Sequence, residues 1–337
     1  MTEVIVLIYY NQMSLTLLLL VQVMISLLNG LFDPATRGML PQLVEKDQLT
    51  RANSTVAALR TLSLMLGPVI GAVLYGNFGV TMLFFVNGIS FLLSGISEMM
   101  IRYIHVSREA ASGIPGIFKD LKEGIKYIAV NKIIKKSCWF FLVTYLFVQP
   151  IFQVVLPLFF KSRLAYSDTR YGFLQSILVF GMLLGSFGVS FFFGKEKDML
   201  KPLTFGSGLL LASMLIFSIL LFPNSLSILG EASILYFAII SIILCLFSAS
   251  ILFIHIPVQT FIQKGTPDEY MSRVFSLVNM ISRGGTPFGS LLYGIILEVV
   301  EVQWTIMAAA LFLVVITIIL LTSLQNTIKC GDTTKVS

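Results

Sequence analysis

The chain has 337 residues, 56% of them hydrophobic and 12% charged, with mean hydropathy +0.91 and formal net charge +6. Soluble domains carry about 25% charged residues, so this composition excludes a water-soluble domain and points to lipid as the solvent. Two histidines and three well-separated cysteines (Cys138, Cys245, Cys330) show neither metal spacing nor a disulfide framework, so no metal and no cofactor are expected, and the local clustering of positive charge fits membrane topology rather than nucleic acid.

A bilayer-spanning helix needs about 20 predominantly apolar residues. Residues 4–10 are apolar but too short to span, and read as the end of a helix. Met1-Thr2-Glu3 lacks the basic start of a signal peptide. Complete spans follow near 13–33, 53–76, 80–104, 137–160, 170–194, 202–222, 231–256, 272–298 and 303–324. The span 53–76 contains Gly67-Pro68-Val69-Ile70-Gly71-Ala72. A proline between glycines is a liability in a soluble helix. In a membrane, neighbouring helices re-satisfy the freed carbonyl, and glycines admit a second helix at close range. A bendable helix is therefore expected there.

The connection 105–136 carries Ile114, Ile117, Phe118, Leu121, Ile125 and Ile128 at helical spacing, with Lys119, Lys122, Glu123 and Lys126 between them. This pattern predicts an amphipathic helix lying on the membrane face, with a soluble linker helix as the alternative. Arg37, Lys46, Arg51, the lysines of 105–136, Lys195, Lys197, Lys201, Lys264, Arg273, Lys329 and Lys335 fall on one side if the spans alternate. That side is predicted to be cytoplasmic. The other side has only Lys161, Arg163 and Arg170. The predicted division is a partial helix bundle over 1–104, a cytoplasmic linker over 105–136, a six-helix bundle over 137–325 and a cytoplasmic tail over 326–337.

Two stretches repeat. Arg51, Arg60, Gly67-Pro68, Gly71 and Tyr75-Gly76 are echoed by Arg273, Arg283, Thr286-Pro287, Gly289 and Tyr293-Gly294, about 220 positions later. Parallel repeats of this kind occur in transporters built from two six-helix halves. With the second half starting near Ser137, the first would start about 80 residues before Met1. The expectation is an all-α membrane protein holding helices four to twelve of such a fold and the end of helix three.

The chain resembles the major facilitator superfamily, and within it the macrolide-efflux and enterobactin-exporter-like branch. The resemblance rests on Phe32-Asp33-Pro34-Ala35, Leu40-Pro41-Gln42-Leu43-Val44, Ala52-Asn53-Ser54, Gly67-Pro68-Val69-Ile70-Gly71, residues 120–128 and Thr266-Pro267-Asp268-Glu269 with Ser272-Arg273-Val274. It implies the facilitator fold and an exporter's antiporter motif at Gly67, Pro68 and Gly71. The motif departs at Ala72, where a second glycine is usual. Gly194-Lys195-Glu196-Lys197-Asp198 is a degenerate echo of the family's basic loop.

Ionisable and polar groups inside spans are functional candidates by default. Arg60 and Arg283 lie about two turns inside matching helices and read as gate or substrate contacts, or as side chains snorkelling to the interface with Asp33 as a structural partner. Asn87 and Asn279 read as helix bridges or cavity groups. Gln149 and Gln153, four apart on one helix beside Pro150 and Pro157, form a polar stripe suited to a cavity wall. His255 is a candidate proton carrier or an interfacial cap. Gly181, Gly185, Gly188, Gly285 and Gly289 read as helix contacts. The predicted function is a monomeric, proton-gradient-driven exporter of small amphipathic compounds in a bacterial plasma membrane. A non-transporting remnant and a lipid flippase are the alternatives. No enzymatic motif is present.

Overall fold

A computed structural model describes residues 38–101, 114–194, 200–230 and 233–329, with single positions between 23 and 36. The expected span 13–33, Asp33 and the last residues of the tail lie outside the described residues, as do the side chains of Pro68 and Arg283. Among the described residues there are helices and connecting turns and no strand.

Helix α1 (Leu49–Met99) takes in the second and third expected spans. Its backbone leaves helical geometry at Gly79, with φ 74° and ψ 179°, a left-handed value that glycine adopts without a Cβ penalty. The break falls between the two predicted spans. The helix runs uninterrupted through Gly67-Pro68, so the missing proline N–H does not stop it. Helix α2 (Ile114–Val130) lies in the predicted linker. Asn131 then caps α3 (Lys132–Phe147), its Oδ1 accepting from the Ile134 N–H at 3.2 Å. The chain continues through α4 (Asp168–Phe193), α5 (Leu200–Leu220), the short α6 (Pro223–Leu229), α7 (Ile234–Gly265), α8 (Asp268–Val299) and α9 (Val302–Lys329).

Six described stretches are long and apolar enough to cross a membrane: Thr81–Met99, Ile134–Arg163, Thr169–Phe193, Leu200–Leu220, Ile234–Gly265 and Val302–Gln325. The expected spans 53–76 and 272–298 are continuous helix but are not among these six. In α8 the cause is its polar content, Asn279, Ser282, Arg283 and Thr286 among others. Helix α7 runs nine residues past the predicted end at 256, because Pro257 is accommodated inside it and Gln259, Thr260 and Gln263 extend it.

Between α3 and the turns that follow it, Pro150 sets the geometry. It has no N–H, and the Ile151 N–H bonds Val148 O at 3.2 Å rather than the carbonyl one full turn back. The chain then passes through wide π-type turns over Ile151–Val155 and Pro157–Arg163. The Phe147 carbonyl is taken instead by the Tyr293 hydroxyl of α8, at 2.9 Å. In hydrocarbon no water is available for such a group, so a side chain from the next helix completes the ladder.

Close helix packing rests on the glycines of α4 and α8. A Cβ at Gly181 would strike Ser248 Oγ and the Cys245 carbonyl of α7. At Gly185 it would lie 2.9 Å from Ala249 Cα, and at Gly188 2.7 Å from Phe253 Cζ. On α8, a Cβ at Gly289 would strike the Leu146 carbonyl and sit 2.7 Å from Pro150 Cγ. Gly285 faces Leu142 of α3. By contrast a Cβ at Gly67 or Gly71 meets nothing within 4 Å, so no described helix makes the close approach expected at that motif. Helix α1 packs instead on α4 and α7.

The linker helix α2 is docked on α8. Gly124 lies against Leu277 and Arg273, Glu123 pairs with Arg273 at 3.0 Å, and the Tyr127 and Tyr270 rings stack at 4.9 Å. The Tyr127 hydroxyl donates to Gly265 O at 3.0 Å. At the opposite end, Arg170 lies over the Tyr166 and Phe237 rings at 4.4 and 5.1 Å. This explains how a cation is kept on the side otherwise poor in charge.

Two consequences are measurable. Tyr293→Phe strands a buried carbonyl and is expected to lower stability by about 1–3 kcal/mol, read as a lower unfolding midpoint of the purified chain in detergent. Gly181→Val must part α4 from α7 and is expected to cost at least as much as an overpacked core, about 1–3 kcal/mol, whereas Gly208→Ala, facing open space, should leave the midpoint unchanged or raise it.

Candidate functional site

A cavity of about 380 Å³ lies where α1 faces α3, α4, α7 and α8. Its first wall is Thr36, Leu40 and the α1 side chains Asn53, Val56, Ala57, Arg60, Thr61 and Leu64. Its second wall is Tyr145 of α3, Met182 of α4, Ile251, Leu252, His255, Ile256 and Gln259 of α7, and Asn279 of α8. All of the first wall precedes the linker in the sequence and all of the second follows it. The cavity therefore lies between the two predicted halves. Its lining is mostly apolar with a few convergent polar groups, as in small-molecule sites generally.

The end of the cavity near the start of α1 is closed by a polar clamp. Asn53 Nδ2 donates to Thr260 Oγ1 at 2.9 Å and to Gln263 Oε1, while Gln259 Nε2 donates to Asn53 Oδ1 at 3.1 Å. Asn53, Thr260 and Gln263 are 3%, 0% and 2% exposed. These three are cut off from water and hydrogen-bonded to one another, with the half-buried Gln259 at the cavity side, which is the condition for a buried polar network to hold rather than weaken a structure. Thr260 also donates to the Ile256 carbonyl at 2.9 Å, so its hydroxyl serves both roles.

Deeper in the cavity, the Tyr145 hydroxyl and His255 Nε2 are 3.5 Å apart, and the Phe141 ring lies 5.0 Å from the imidazole. His255 is half-buried and three turns inside α7, not at its end. Arg60 is about three turns from the start of α1, and Arg283 about four from the start of α8. Both lie deeper than the expected two turns; each helix begins about one turn earlier than predicted, which accounts for the whole difference at Arg60 and for half of it at Arg283. Asn279 Nδ2 is buried and has no hydrogen-bond partner among the described residues. A buried donor left so costs about 1–3 kcal/mol.

Of the residues singled out in the sequence, Arg60, His255 and Asn279 meet in this cavity. Gln149, Gln153 and Asn87 do not line it. Gln149 is half-buried and Gln153 exposed, on the segment reshaped by Pro150. Asn87 lies beyond the break at Gly79, in a stretch whose window from Thr81 to Met99 has none of its residues buried. Gly67 and Gly71 are not part of the lining either. The clamp residue Asn53, its partners Thr260 and Gln263, and Tyr145 were not among the candidates. A signal existed in Gln259 and Gln263, four apart on an otherwise apolar helix, and so on one face.

Apolar helices long enough to cross a bilayer, packed by glycine and bordering a mostly apolar cavity with a few polar groups, define a multi-pass helical membrane protein with a site of small-molecule size. A sequence model of the Major Facilitator Superfamily matches residues 3–290, and the chain belongs to that superfamily of membrane transporters. It is similar to macrolide efflux protein A of Streptococcus pyogenes, 23% identical over 313 residues that cover 90% of this chain and 72% of that protein. A macrolide efflux protein A of Enterococcus faecalis is 24% identical over 288 residues, covering 83% of each. Among solved structures, a bacterial homologue of the iron transporter ferroportin in an outward-facing state matches with TM-score 0.62 at 15% identity, over 88% of this chain and 70% of that one. That likeness supports the fold.

Asn53→Ala removes its hydrogen bonds with Thr260, Gln263 and Gln259. The unfolding midpoint of the purified chain should fall, by the equivalent of about 1–3 kcal/mol, and a cysteine placed at Ala57 should become more reactive to a water-soluble maleimide.

Proposed function

We propose that the chain is a proton-driven exporter of small amphipathic compounds of the macrolide kind, working as a monomer by alternating access in a bacterial plasma membrane with its C-terminus in the cytoplasm. The observation that carries this reading is the cavity between α1 and the second half, apolar enough for a lipid-soluble cargo and polar enough to orient it. The names of the similar efflux proteins support the cargo class. Transporters with paired helical halves place their cargo site at the boundary between halves and open it alternately to each side.

In this reading the Asn53 clamp is the closure at one end of the cavity. Its members are exchanged for water when the halves rock apart. Arg60 contributes positive charge to the wall. His255, beside the Tyr145 hydroxyl, is the group in the described lining whose protonation is suited to the physiological range, and it is the proposed carrier of the coupled proton.

A drug-sensitive bacterium expressing the chain is expected to accumulate several-fold less macrolide than the same host with an empty vector, and a protonophore should erase the difference. Unchanged accumulation of macrolides and of a broad set of amphipathic dyes would falsify the transport reading. His255→Gln should leave export that no longer responds to the pH gradient; a surviving pH response assigns the proton to another group.

A further inference from the structure

We propose that the groove between α1 and α4, on the side of α1 away from the cavity, binds one anionic phospholipid, with Arg51 holding the phosphate and the acyl chains lying along Leu59, Leu62 and Phe187. This site is separate from the cargo cavity, and its occupancy does not depend on transport.

The groove has a volume of about 370 Å³, and its described lining comes from these two helices alone, one from each predicted half. On α1 the lining runs from Arg51 to Leu62 at every third or fourth position, and on α4 from Leu183 to Ser190 in the same way. The α1 residues of the cargo cavity, Asn53 to Leu64, follow the same pattern displaced by two positions. Two positions turn a helix by about 200°, so the groove opens on roughly the opposite side. There Leu59, Leu62 and Phe187 are 60%, 39% and 58% exposed. In a bilayer that surface meets lipid.

Charge and apolar surface are set out along the groove as they are in a phospholipid. Arg51 lies at one end, within the first turn of α1, and is exposed. Thr55 and Ser190 add hydroxyls to the lining. About 16 Å of helix separates Arg51 from Leu62, and the accessible side chains Leu59, Leu62 and Phe187 are apolar. No acidic side chain is among the described lining residues. Arg273, the counterpart of Arg51 in the repeat, pairs with Glu123 of the linker helix at 3.0 Å. Arg51 makes no ion pair among the described residues. Its planar fork can donate two parallel hydrogen bonds to a phosphodiester. Inorganic phosphate would satisfy the cation but leave the leucines and Phe187 uncovered. The Arg51 end belongs to the side proposed to face the cytoplasm, where the leaflet carries anionic lipid.

The test titrates the full chain in detergent with dioleoylphosphatidylglycerol and with dioleoylphosphatidylcholine, whose choline cation offsets the phosphate, and counts bound lipid by native mass spectrometry. The first phosphatidylglycerol is expected to bind about fivefold more tightly than phosphatidylcholine and to raise the unfolding midpoint. Arg51→Gln should erase that preference, and Arg51→Lys, which keeps the charge, should retain it. Lys46→Gln removes a charge outside the groove and should leave the preference intact. Phe187→Ser should weaken both lipids alike. Equal binding of the two lipids by the parent chain overturns the proposal, as does a preference that survives Arg51→Gln or is lost equally with Lys46→Gln. Should Arg51→Gln fail to fold, unchanged binding of both lipids to Phe187→Ser overturns it instead. Inorganic phosphate that raises the midpoint as far as phosphatidylglycerol marks an anion site without a lipid, and a dimer that excludes lipid marks an interface between copies; either result also overturns it.

Discussion

In hydrocarbon a polar side chain has no partner unless another helix brings one. That constraint decides where this protein places its chemistry. Asn53 is more than 200 residues along the chain from Gln259, Thr260 and Gln263, yet the four meet as one cluster. Once they meet, α1 is fixed against α7, and the space beyond the cluster becomes a cavity between α1 and the second half. The Tyr293 hydroxyl obeys the same rule where it covers the carbonyl released near Pro150. Buried polar groups thus act as address labels, because their stable positions are opposite one another.

Close approach of backbones is the complementary requirement. Lipid tails are as apolar as leucine, so helix association in a membrane depends on packing and hydrogen bonds more than on burial of apolar surface. The row Gly181, Gly185 and Gly188 lets α4 lie against the Cys245, Ala249 and Phe253 positions of α7. Gly285 and Gly289 do the same for α8 against α3. These contacts are all inside the second half. The contact of α1 with α7 is different in kind: it is made at one end by carboxamides and hydroxyls and elsewhere leaves a void. A tight glycine seam resists separation, while a hydrogen-bonded clamp bordering a cavity can exchange its partners for water.

Much of the fold was legible in the sequence because hydropathy reports the solvent directly. The spans 170–194 and 202–222 reappear as helices within two residues of their predicted ends, and the helical stripe at 114–128 reappears as α2. Helix ends were less legible. Hydropathy stops at the membrane border, but α7 continues to Gly265 because Gln259, Thr260 and Gln263 have partners on α1. The site was legible only in part. Arg60, His255 and Asn279 stood out as polar residues in apolar runs. Asn53 sits in the first turns of α1 close to Arg51 and Thr50, where polarity marks a helix start and carries no further information. Its partners lie 207 and 210 positions away, and no local pattern reports a pairing across that distance. The Gln149 and Gln153 stripe misled for a related reason: spacing gives the relative direction of two side chains but not what either one faces.

The energetics of the cluster set how firmly it holds α1 to α7. A hydrogen bond between membrane helices contributes about 0.6 kcal/mol on average. Three such bonds are enough to favour one arrangement of α1 and α7 and too few to lock it. Replacing them with apolar contacts of similar volume would bring no water-exchangeable state, and a salt bridge in their place would carry a desolvation cost each time the partners parted. Neutral carboxamides avoid both extremes. They can be wetted without stranding a charge, and they can be dried again without a proton or counter-ion to dispose of. Arg60 and His255 line the same cavity, and the hydrogen bonds described for the cluster join neutral groups, Asn53, Gln259, Thr260 and Gln263.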